Sequence, residues 1–339
     1  MDLDADLTGQ SVLITGSAVA ARRAVRRYRA AAADVRTVDC PANFRTSVLD
    51  EVLLVVAVDD GDPGWAPLVQ ACRLHSVLLV REQAASPGRH IALVGGGPGP
   101  ADLLTVRGRG ALREADVVFY DRLGPVADLD QLAPGAQLID VGKTPGHHPV
   151  SQTDIQAQMI ASARMGNRVV RLKGGDPYVF GRGGEEVAAC AEAGIPVTVV
   201  PGVSSAISVP GAAGIPVTHR TVSHLFTVVS GHAPLTDPEL EHLAGLGGTI
   251  VVLMGIGTLP QLTNGLLQAG LRRDMPVAVV ERGFSPHQRT TISDLSNIVS
   301  AASKCSNPAV VVIGEVVAVG RAAGVQSEIA DLTAAMLRS

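Results

Sequence analysis

Short apolar runs, each followed by a turn and a helix-forming stretch, recur through the first two thirds of the chain. Runs rich in Val, Ile and Leu are typical of strands that are buried on both faces. Because strands that alternate with helices join as parallel neighbours, the pattern predicts an α/β protein with parallel sheets covered by helices. The predicted strands cover residues 11–16, 34–39, 52–58, 76–80, 91–97, 116–120, 136–142, 168–172 and 196–200. The predicted helices cover residues 18–33, 102–115, 151–166, 184–193 and 203–213.

The last third of the chain has a different pattern, with longer apolar runs that resemble paired strands. This pattern predicts a mixed α/β domain, followed by a helical tail at 324–339. The predicted strands of this part cover residues 224–231, 248–255, 275–281, 288–293 and 308–314. A polar turn at 85–90 is typical of a linker. We therefore predict three domains, at 1–89, 90–216 and 217–339.

Composition excludes several classes of function. A hydrophobic content of 46% over 339 residues is sufficient for substantial cores, but no apolar run approaches the roughly 18 residues that span a bilayer. The acidic start, MDLDADLTGQ, lacks the basic and apolar regions of a secretory signal, so we expect a cytoplasmic protein without membrane association. A net charge of −4 and an aromatic content of 3% argue against nucleic-acid binding.

The sequence predicts neither disulfides nor a metal site. Its four cysteines are scattered and form no C-x-x-C pair, which fits a reducing compartment and small buried side chains. They are Cys40, Cys72, Cys190 and Cys305. His147 and His148 are adjacent and therefore point in different directions, and no acidic cluster accompanies them.

The N-terminal domain begins like a dinucleotide-binding fold, with a strand, a helix and a second strand that ends at Asp39. Its glycine fingerprint is damaged, because counting from Gly16 places Ala18 and Ala21 where the second glycine and the third small residue belong. A Cβ atom at the second position would obstruct the approach of a pyrophosphate. The sequence therefore predicts a Rossmann-like domain without a working nucleotide site, and NAD is not expected.

Glycine, proline and acidic residues follow four predicted strands of the middle domain. The segments are VGGGPGPADLLT (94–105), DVVFYDRL (116–123), LKGGDPYVFGRGGEE (172–186) and VVPGVSSA (199–206). Because the carboxyl ends of parallel strands meet at one edge of a sheet, we predict a ligand site there. The first of these loops, at 94–105, lacks the Lys-Ser/Thr pair of a phosphate-binding loop, which favours a ligand without phosphate. Taken singly, each segment also fits an ordinary turn, and Asp121 also fits a residue that caps the following segment.

These segments, together with VGKTPGHH (141–148), AGIPVTHR (213–220), VVSGH (228–232), VLMGI (252–256) and VERGFS (280–285), resemble the tetrapyrrole methylase family over about residues 91–320. The stretch 169–186 is the most specific of them. The resemblance implies a two-domain tetrapyrrole methylase fold, here preceded by a small Rossmann-like parallel α/β domain. It also implies a homodimer that binds S-adenosyl-L-methionine, releases S-adenosyl-L-homocysteine and acts on a small tetrapyrrole.

The resemblance also carries roles over to individual residues. Asp121 matches the family's proton acceptor and Lys143 its proton donor. The positions that match the methyl-donor pocket are Pro98, Gly174, Gly175, Asp176, Val179, Ser204, Ser205, Met254 and Gly283. A substrate with many carboxylates calls for basic partners, and the candidates are Arg122, Arg171, Arg182, Arg220, His147 and His219.

Within this family the motifs favour C-methylation of uroporphyrinogen III at C2 and C7, which gives precorrin-2 for sirohaem or cobalamin synthesis. The sequence departs from the family at Thr144, which replaces an arginine, and at Ser204 and Ser205, which replace Thr-Ala. Three alternatives stay open. The N-terminal domain, whose VAARR and VAVDD segments resemble a precorrin-2 dehydrogenase with Asp59 as its acid, could retain NAD-dependent activity. The chain could instead be a later cobalamin-pathway methylase, or a non-catalytic regulator.

Overall fold

The computed structural model describes residues 6–59, 62–84, 89–142 and 151–322, and the chain forms two compact units. The first unit comprises Met1–Gly95, Thr105–Lys173 and Arg182–Pro201. The second unit comprises Gly96–Leu104, Gly174–Gly181 and Gly202–Ser339. Each of the three predicted domains contains one sheet, but the predicted boundaries at 89/90 and 216/217 stay predictions.

The strands follow the predicted apolar runs closely. They are β1 Ser11–Thr15, β2 Asp34–Val38, β3 Leu54–Asp59, β4 Leu78–Gln83, β5 His90–Gly95, β6 Val117–Tyr120, β7 Gln137–Asp140, β8 Arg168–Lys173, β9 Val197–Val200, β10 Phe226–Ser230, β11 Thr249–Leu253, β12 Pro276–Glu281, β13 Arg289–Asp294 and β14 Ala309–Ile313. The helices are α1 Ala18–Ala30, α2 Ala66–Leu74, α3 Val106–Arg113, α4 Leu129–Leu132, α5 Gln152–Arg164, α6 Gly183–Glu192, α7 Ser205–Ala212, α8 Asp237–Leu246, α9 Leu259–Gln268, α10 Ile298–Ala301 and α11 Val316–Ala322.

The first unit contains two sheets in which every pair of neighbouring strands is parallel. The N-terminal sheet has the order β2-β1-β3-β4, and Leu13 and Val55 are fully buried in its core. The methylase sheet, our name for the second, has the order β7-β6-β8-β5-β9. Ile91, Phe119 and Met159 pack in the core of the methylase sheet. The prediction that the carboxyl ends of β5, β6, β8 and β9 lie along one edge of the same sheet is confirmed.

The second unit contains a mixed sheet with the order β10-β11-β14-β12-β13. In this sheet β10 and β11 run parallel, and the other three pairs of neighbouring strands run antiparallel. The predicted mixed sheet is therefore confirmed. Sequence analysis did not locate α8 and α9 between these strands. The signal for α8 was present, because Thr236 and Glu239 form a reciprocal capping box at its start.

Several smaller expectations have mixed outcomes. Cys72 and Cys190 are buried as predicted, but Cys40 and Cys305 are only half-buried. No helix in the described ranges is long and apolar enough to cross a membrane. The predicted helical tail at 324–339 lies outside the described residues.

Gly248 precedes β11 at a point where the chain needs a left-handed backbone, with φ +79°. A Cβ atom there would lie 2.4 Å from Cδ1 of Leu225 and 2.6 Å from its carbonyl oxygen. We expect Gly248→Ala to lower the free energy of unfolding by about 2 kcal/mol or more, through backbone strain and overpacking. Gly257→Ala is the matched control, because a Cβ at Gly257 meets nothing within 4 Å. Equal urea midpoints for the two variants would contradict this reading.

Candidate functional site

Two of the predicted donor loops meet through their backbones in the second unit. The N–H of Gly97 donates to the carbonyl of Gly175 at 3.2 Å, and the N–H of Gly175 donates back at 2.7 Å. Both glycines have left-handed backbones, and a Cβ on Gly97 would lie 3.0 Å from the carbonyl oxygen of Leu103. Pro98 is the residue after Gly97, so the pairing of the two loops fixes the point from which Pro98 extends.

Asp176 joins the second loop to a third. Its Oδ1 accepts a hydrogen bond from the N–H of Tyr178 at 2.8 Å, and its Oδ2 accepts one from the N–H of Gly202 at 3.0 Å. The family resemblance implies that Asp176 contacts the donor, and these hydrogen bonds show that its carboxylate also holds the loops together. A carboxylate has about four lone-pair sites, so both functions can be served at once.

The third loop leads into α7, on which a fourth segment packs. Ser204 caps the helix by accepting a hydrogen bond from the N–H of Ala206 at 3.2 Å, so its hydroxyl serves the fold. Ser205 is the first residue of α7. Gly283 lies against this helix so closely that a Cβ would be 2.8 Å from both Cγ atoms of Val209. The glycine is therefore required at that contact.

Unusual backbone conformations accompany the remaining donor positions. Met254 follows β11 with φ +59°, and its side chain is 42% exposed. In the described part of the second unit, every non-glycine residue with a left-handed backbone lies at or beside a predicted donor residue. Phe180 follows Val179, Arg282 and Phe284 flank Gly283, and Met254 is itself a predicted donor residue. Strained backbones of this kind cluster at ligand-binding loops.

The predicted donor residues fit S-adenosyl-L-methionine in their chemistry. All of them belong to the second unit, and they offer backbone groups, small side chains, apolar surface and one carboxylate. None is a lysine or an arginine, so the set offers no cationic side chain to a phosphate. The negative charge of Asp176 suits a sulfonium cation.

Asp121 lies in the first unit, directly after β6. Its Oδ1 accepts a hydrogen bond from the N–H of Leu123 at 3.1 Å, so the capping role left open by the sequence is present. Its Oδ2 lies 3.5 Å from Nη2 of Arg171, and about a quarter of its side chain is exposed. The carboxylate is therefore positioned by the fold while it stays accessible.

Arg171 has a different position from the one that its predicted role requires. It is 5% exposed, and its Nη1 donates to the carbonyl of Leu172 at 2.7 Å. Its Nε donates to Oε1 of Glu186 at 3.2 Å. A substrate carboxylate has little access to a side chain this buried, so the position of Arg171 does not support direct substrate binding.

Glu186 is the centre of a buried charge cluster that sequence analysis missed. It is fully buried on α6 and pairs with Nζ of Lys173 at 3.1 Å, as well as with Arg171. Gln152 donates to it from α5 at 2.9 Å. Two cations thus face two carboxylates, Glu186 and Asp121, so the cluster is balanced in formal charge. The available signal was the presence of three basic residues in the run 168–173, two of which, Arg171 and Lys173, are buried among its apolar residues.

The cluster affects the titration of its neighbours. Burial, and then the positive charge of Arg171, lower the pKa of Lys173. Burial and the carboxylate of Glu186 raise the pKa of Cys190 to about 11. The ammonium group of Lys173 is held in an internal ion pair with Glu186.

The remaining basic candidates are surface residues or lie outside the described part. Arg122 is exposed in the first unit, and Arg182 is exposed and pairs with Glu185 at 2.6 Å. His219 and Arg220 are exposed in the second unit, and a ring nitrogen of His219 lies 3.2 Å from Oγ1 of Thr221. Lys143, Thr144, His147 and His148 lie outside the described residues.

The N-terminal sheet carries the features expected of a damaged nucleotide fold. Asp39 is exposed and accepts a hydrogen bond from Nδ2 of Asn43 at 2.8 Å, which partly occupies the predicted ribose carboxylate. Ala21 is buried against the sheet. Asp59 ends β3, but its side chain lies outside the described residues. Among the described residues, no group of three His, Cys, Asp or Glu side chains could hold a metal ion.

Comparison with known proteins decides the family. Residues 90–299 match the family described as Tetrapyrrole (Corrin/Porphyrin) Methylases. The chain belongs to this family. It is 46% identical over 233 residues to the S-adenosyl-L-methionine-dependent uroporphyrinogen III methyltransferase of Methanosarcina barkeri, which covers 67% of this chain and 91% of that relative. It is 45% identical to the siroheme synthase of Gluconobacter oxydans, over 66% of this chain but only 49% of that enzyme.

Solved structures agree with this assignment. The uroporphyrin III C-methyl transferase of Thermus thermophilus has a TM-score of 0.59 and 41% identity, over 68% of this chain and 99% of that one. The same enzyme complexed with S-adenyl homocysteine has a TM-score of 0.59 and 40% identity, over 68% of this chain and 99% of that one. A cobalt precorrin-4 methyltransferase has a TM-score of 0.61 and 26% identity, over 69% of this chain and 97% of that one. The predicted family, fold class and S-adenosyl-L-methionine-dependent methyltransferase chemistry are confirmed.

Asp176 offers a direct test of the donor loops. Asp176→Asn replaces an accepting oxygen with an amino group that faces a backbone N–H, so one of the two loop contacts is lost. We expect affinity for S-adenosyl-L-homocysteine, measured by isothermal titration calorimetry, to fall about ten-fold or more. Asp294→Asn is the control, because Asp294 also accepts a backbone hydrogen bond, from the N–H of Asn297 at 3.0 Å, but lies at the end of β13 and not in a donor loop. Unchanged affinity in the first variant would contradict the role of Asp176.

Glu186 and its neighbour Glu185 form a matched pair for testing the buried cluster. Glu186→Gln leaves Arg171 and Lys173 without their shared carboxylate, and we expect it to lower the free energy of unfolding by about 3–5 kcal/mol. Glu185 is exposed, so Glu185→Gln should cost less than about 1 kcal/mol. Urea denaturation measures both. A similar small effect for the two variants would show that the cluster contributes little.

Proposed function

We propose that this chain is an S-adenosyl-L-methionine-dependent uroporphyrinogen-III C-methyltransferase that acts at C2 and C7 to give precorrin-2. The observation that supports this substrate is the 46% identity to the Methanosarcina barkeri enzyme across 91% of that enzyme's length. A second relative, the uroporphyrinogen-III C-methyltransferase of Methanocaldococcus jannaschii, is also 46% identical, over 67% of this chain and 96% of that relative. The product would enter sirohaem or cobalamin synthesis.

The loops of the second unit hold the methyl donor in this proposal. Gly97 and Gly175 bring two backbones together, and Asp176 fixes the third loop at Gly202. Val179 and Met254, both partly exposed, offer apolar surface to the nucleoside. Positions that are held in advance by backbone hydrogen bonds limit the freedom lost when the donor binds.

The donor, when bound, supplies an electrophilic methyl group that a pyrrole carbon of the substrate accepts. The substrate becomes cationic as the new carbon–carbon bond forms, and it must then lose a proton. Asp121 is the proposed acceptor of that proton, directly or through one water. Arg171 holds the Oδ2 side of this carboxylate, so we assign it a positioning role. Lys143 remains the proposed proton donor.

Substrate recognition depends on charge in this proposal. Uroporphyrinogen III carries eight carboxylates, and exposed guanidinium groups bind carboxylates well. Arg122, Arg182 and Arg220 are exposed and therefore keep their proposed role, together with His147 and His219. We also propose a cytoplasmic homodimer with the domain boundaries given above.

Two alternative activities have specific support. The structural similarity to a cobalt precorrin-4 methyltransferase, at 26% identity, supports a later precorrin as the substrate. The similarity to siroheme synthases supports a bifunctional enzyme, although the match spans about half of their length. The alanines that replace the fingerprint at 18 and 21 argue against a working NAD site in this chain.

The deciding experiment incubates the purified chain with uroporphyrinogen III and S-adenosyl-L-methionine, followed by mass spectrometry. We expect products that carry one and then two added methyl groups. A parallel incubation with a later precorrin tests the first alternative, and titration with NAD tests the second. Intact donor binding without any mass gain on uroporphyrinogen III would overturn the proposed substrate.

Asp121→Asn tests the proton acceptor with little change in shape. We expect turnover to fall about 100-fold or more, while donor affinity measured by calorimetry stays the same. Asp62→Asn is the control, because Asp62 accepts the N–H of Gly64 at 2.8 Å in a similar turn of the N-terminal sheet. Normal turnover in Asp121→Asn would remove the assigned role.

A further inference from the structure

A fully buried carboxylate lies at the amino end of β6. Asp116 is 0% exposed, and its Oδ2 accepts hydrogen bonds from Nη2 of Arg22 at 2.8 Å and from the backbone N–H of Arg168 at 2.9 Å. Nη2 of Arg26 donates to its Oδ1. Both cations that pair with this carboxylate in the described part of the chain come from α1, while Arg168 contributes only its backbone to it.

Helix α1 also contacts the backbone around Asp116. Nη2 of Arg22 donates to the carbonyl of Gly166 at 2.7 Å, and Nη1 of Arg26 donates to the carbonyl of Asp116 at 3.2 Å. Because the two arginines are four residues apart, they lie on one face of the helix. That face therefore binds the amino ends of β6 and β8, where Gly166 and Asp116 precede the strands.

An independent contact brings the backbone of α1 against the loop before β7. Gly135 has φ +75°, and a Cβ on it would lie 2.5 Å from the backbone nitrogen of Arg27. It would also lie 2.7 Å from the carbonyl carbon of Arg26. Such an approach is possible only for a glycine, so the loop fits the helix closely in addition to the ion pairs.

We propose that the N-terminal sheet, through α1, is a permanent docking partner of the methylase sheet, with Asp116 as the group it recognises. A buried carboxylate that loses its cations is strongly unfavourable, so the two sheets depend on each other for stability. The basic face of α1 is committed to protein contacts. This gives the N-terminal domain a structural function that does not require a nucleotide, and it holds whichever tetrapyrrole the enzyme methylates.

Four full-length variants test the docking. Arg22→Gln/Arg26→Gln leaves the carboxylate buried without cations, and we expect its Tm to fall by about 6 °C or more. Asp116→Asn combined with both arginine changes removes all three charges of the cluster, and this triple variant should regain at least half of the Tm that the double arginine variant loses. The Tm of Asp116→Asn alone should lie between the Tm values of the double and the triple variant. Arg29→Gln, on an exposed position of the same helix, should change Tm by less than about 2 °C.

Hydrogen exchange shows whether the effect lies at the interface. In the double arginine variant we expect faster exchange both in α1 and in β6, with the mixed sheet of the second unit unchanged. If the double variant yields no folded protein, recovery of folded protein in the triple variant supports the proposal, and failure to recover overturns it. The proposal is also overturned if the double variant keeps its Tm, or if the triple variant is less stable than the double.

Discussion

The parallel direction of all five strands in the methylase sheet is the constraint on which the rest of the structure depends. It places the carboxyl ends of β5, β6, β8 and β9 at one edge and their amino ends at the other. The donor loops and Asp121 follow the first edge, and the contacts of α1 occur at the second. The candidate proton acceptor, Asp121, and the contacts of α1 thus lie at opposite ends of one sheet.

Buried carboxylates hold both ends of this sheet. Glu186 binds two of the three basic residues of β8, Arg171 and Lys173, and through Arg171 it supports Asp121. Asp116 binds two arginines of α1 at the opposite end. Both carboxylates are fully buried and paired, which is how a protein interior tolerates charge. The two clusters have separate functions, because one positions a side chain at the candidate site and the other joins two sheets.

Sequence reasoning was most successful where a local pattern determines the structure. Apolar runs predicted the strands, and glycines after the strands predicted loops that meet one another, because both signals lie in consecutive residues. It failed where the partner is distant in the chain. The contact between Arg22 and Asp116 joins residues whose sequence neighbours give no sign of it. Arg171 was predicted to bind substrate carboxylates, because nothing in its local sequence indicates the buried ion pair with Glu186. The roles of Asp176 and Ser204 in holding loops also required the three-dimensional contacts.

The central claim is that the loops at residues 97–98, 174–179, 204–205 and 283 together enclose the methyl donor. A crystal structure of the chain with S-adenosyl-L-homocysteine tests it most directly. We predict that the bound nucleoside contacts at least three of these segments and that its sulfur lies on the side of Asp176. The account would be contradicted if the ligand bound at another surface while these loops kept their present contacts and made none with the ligand.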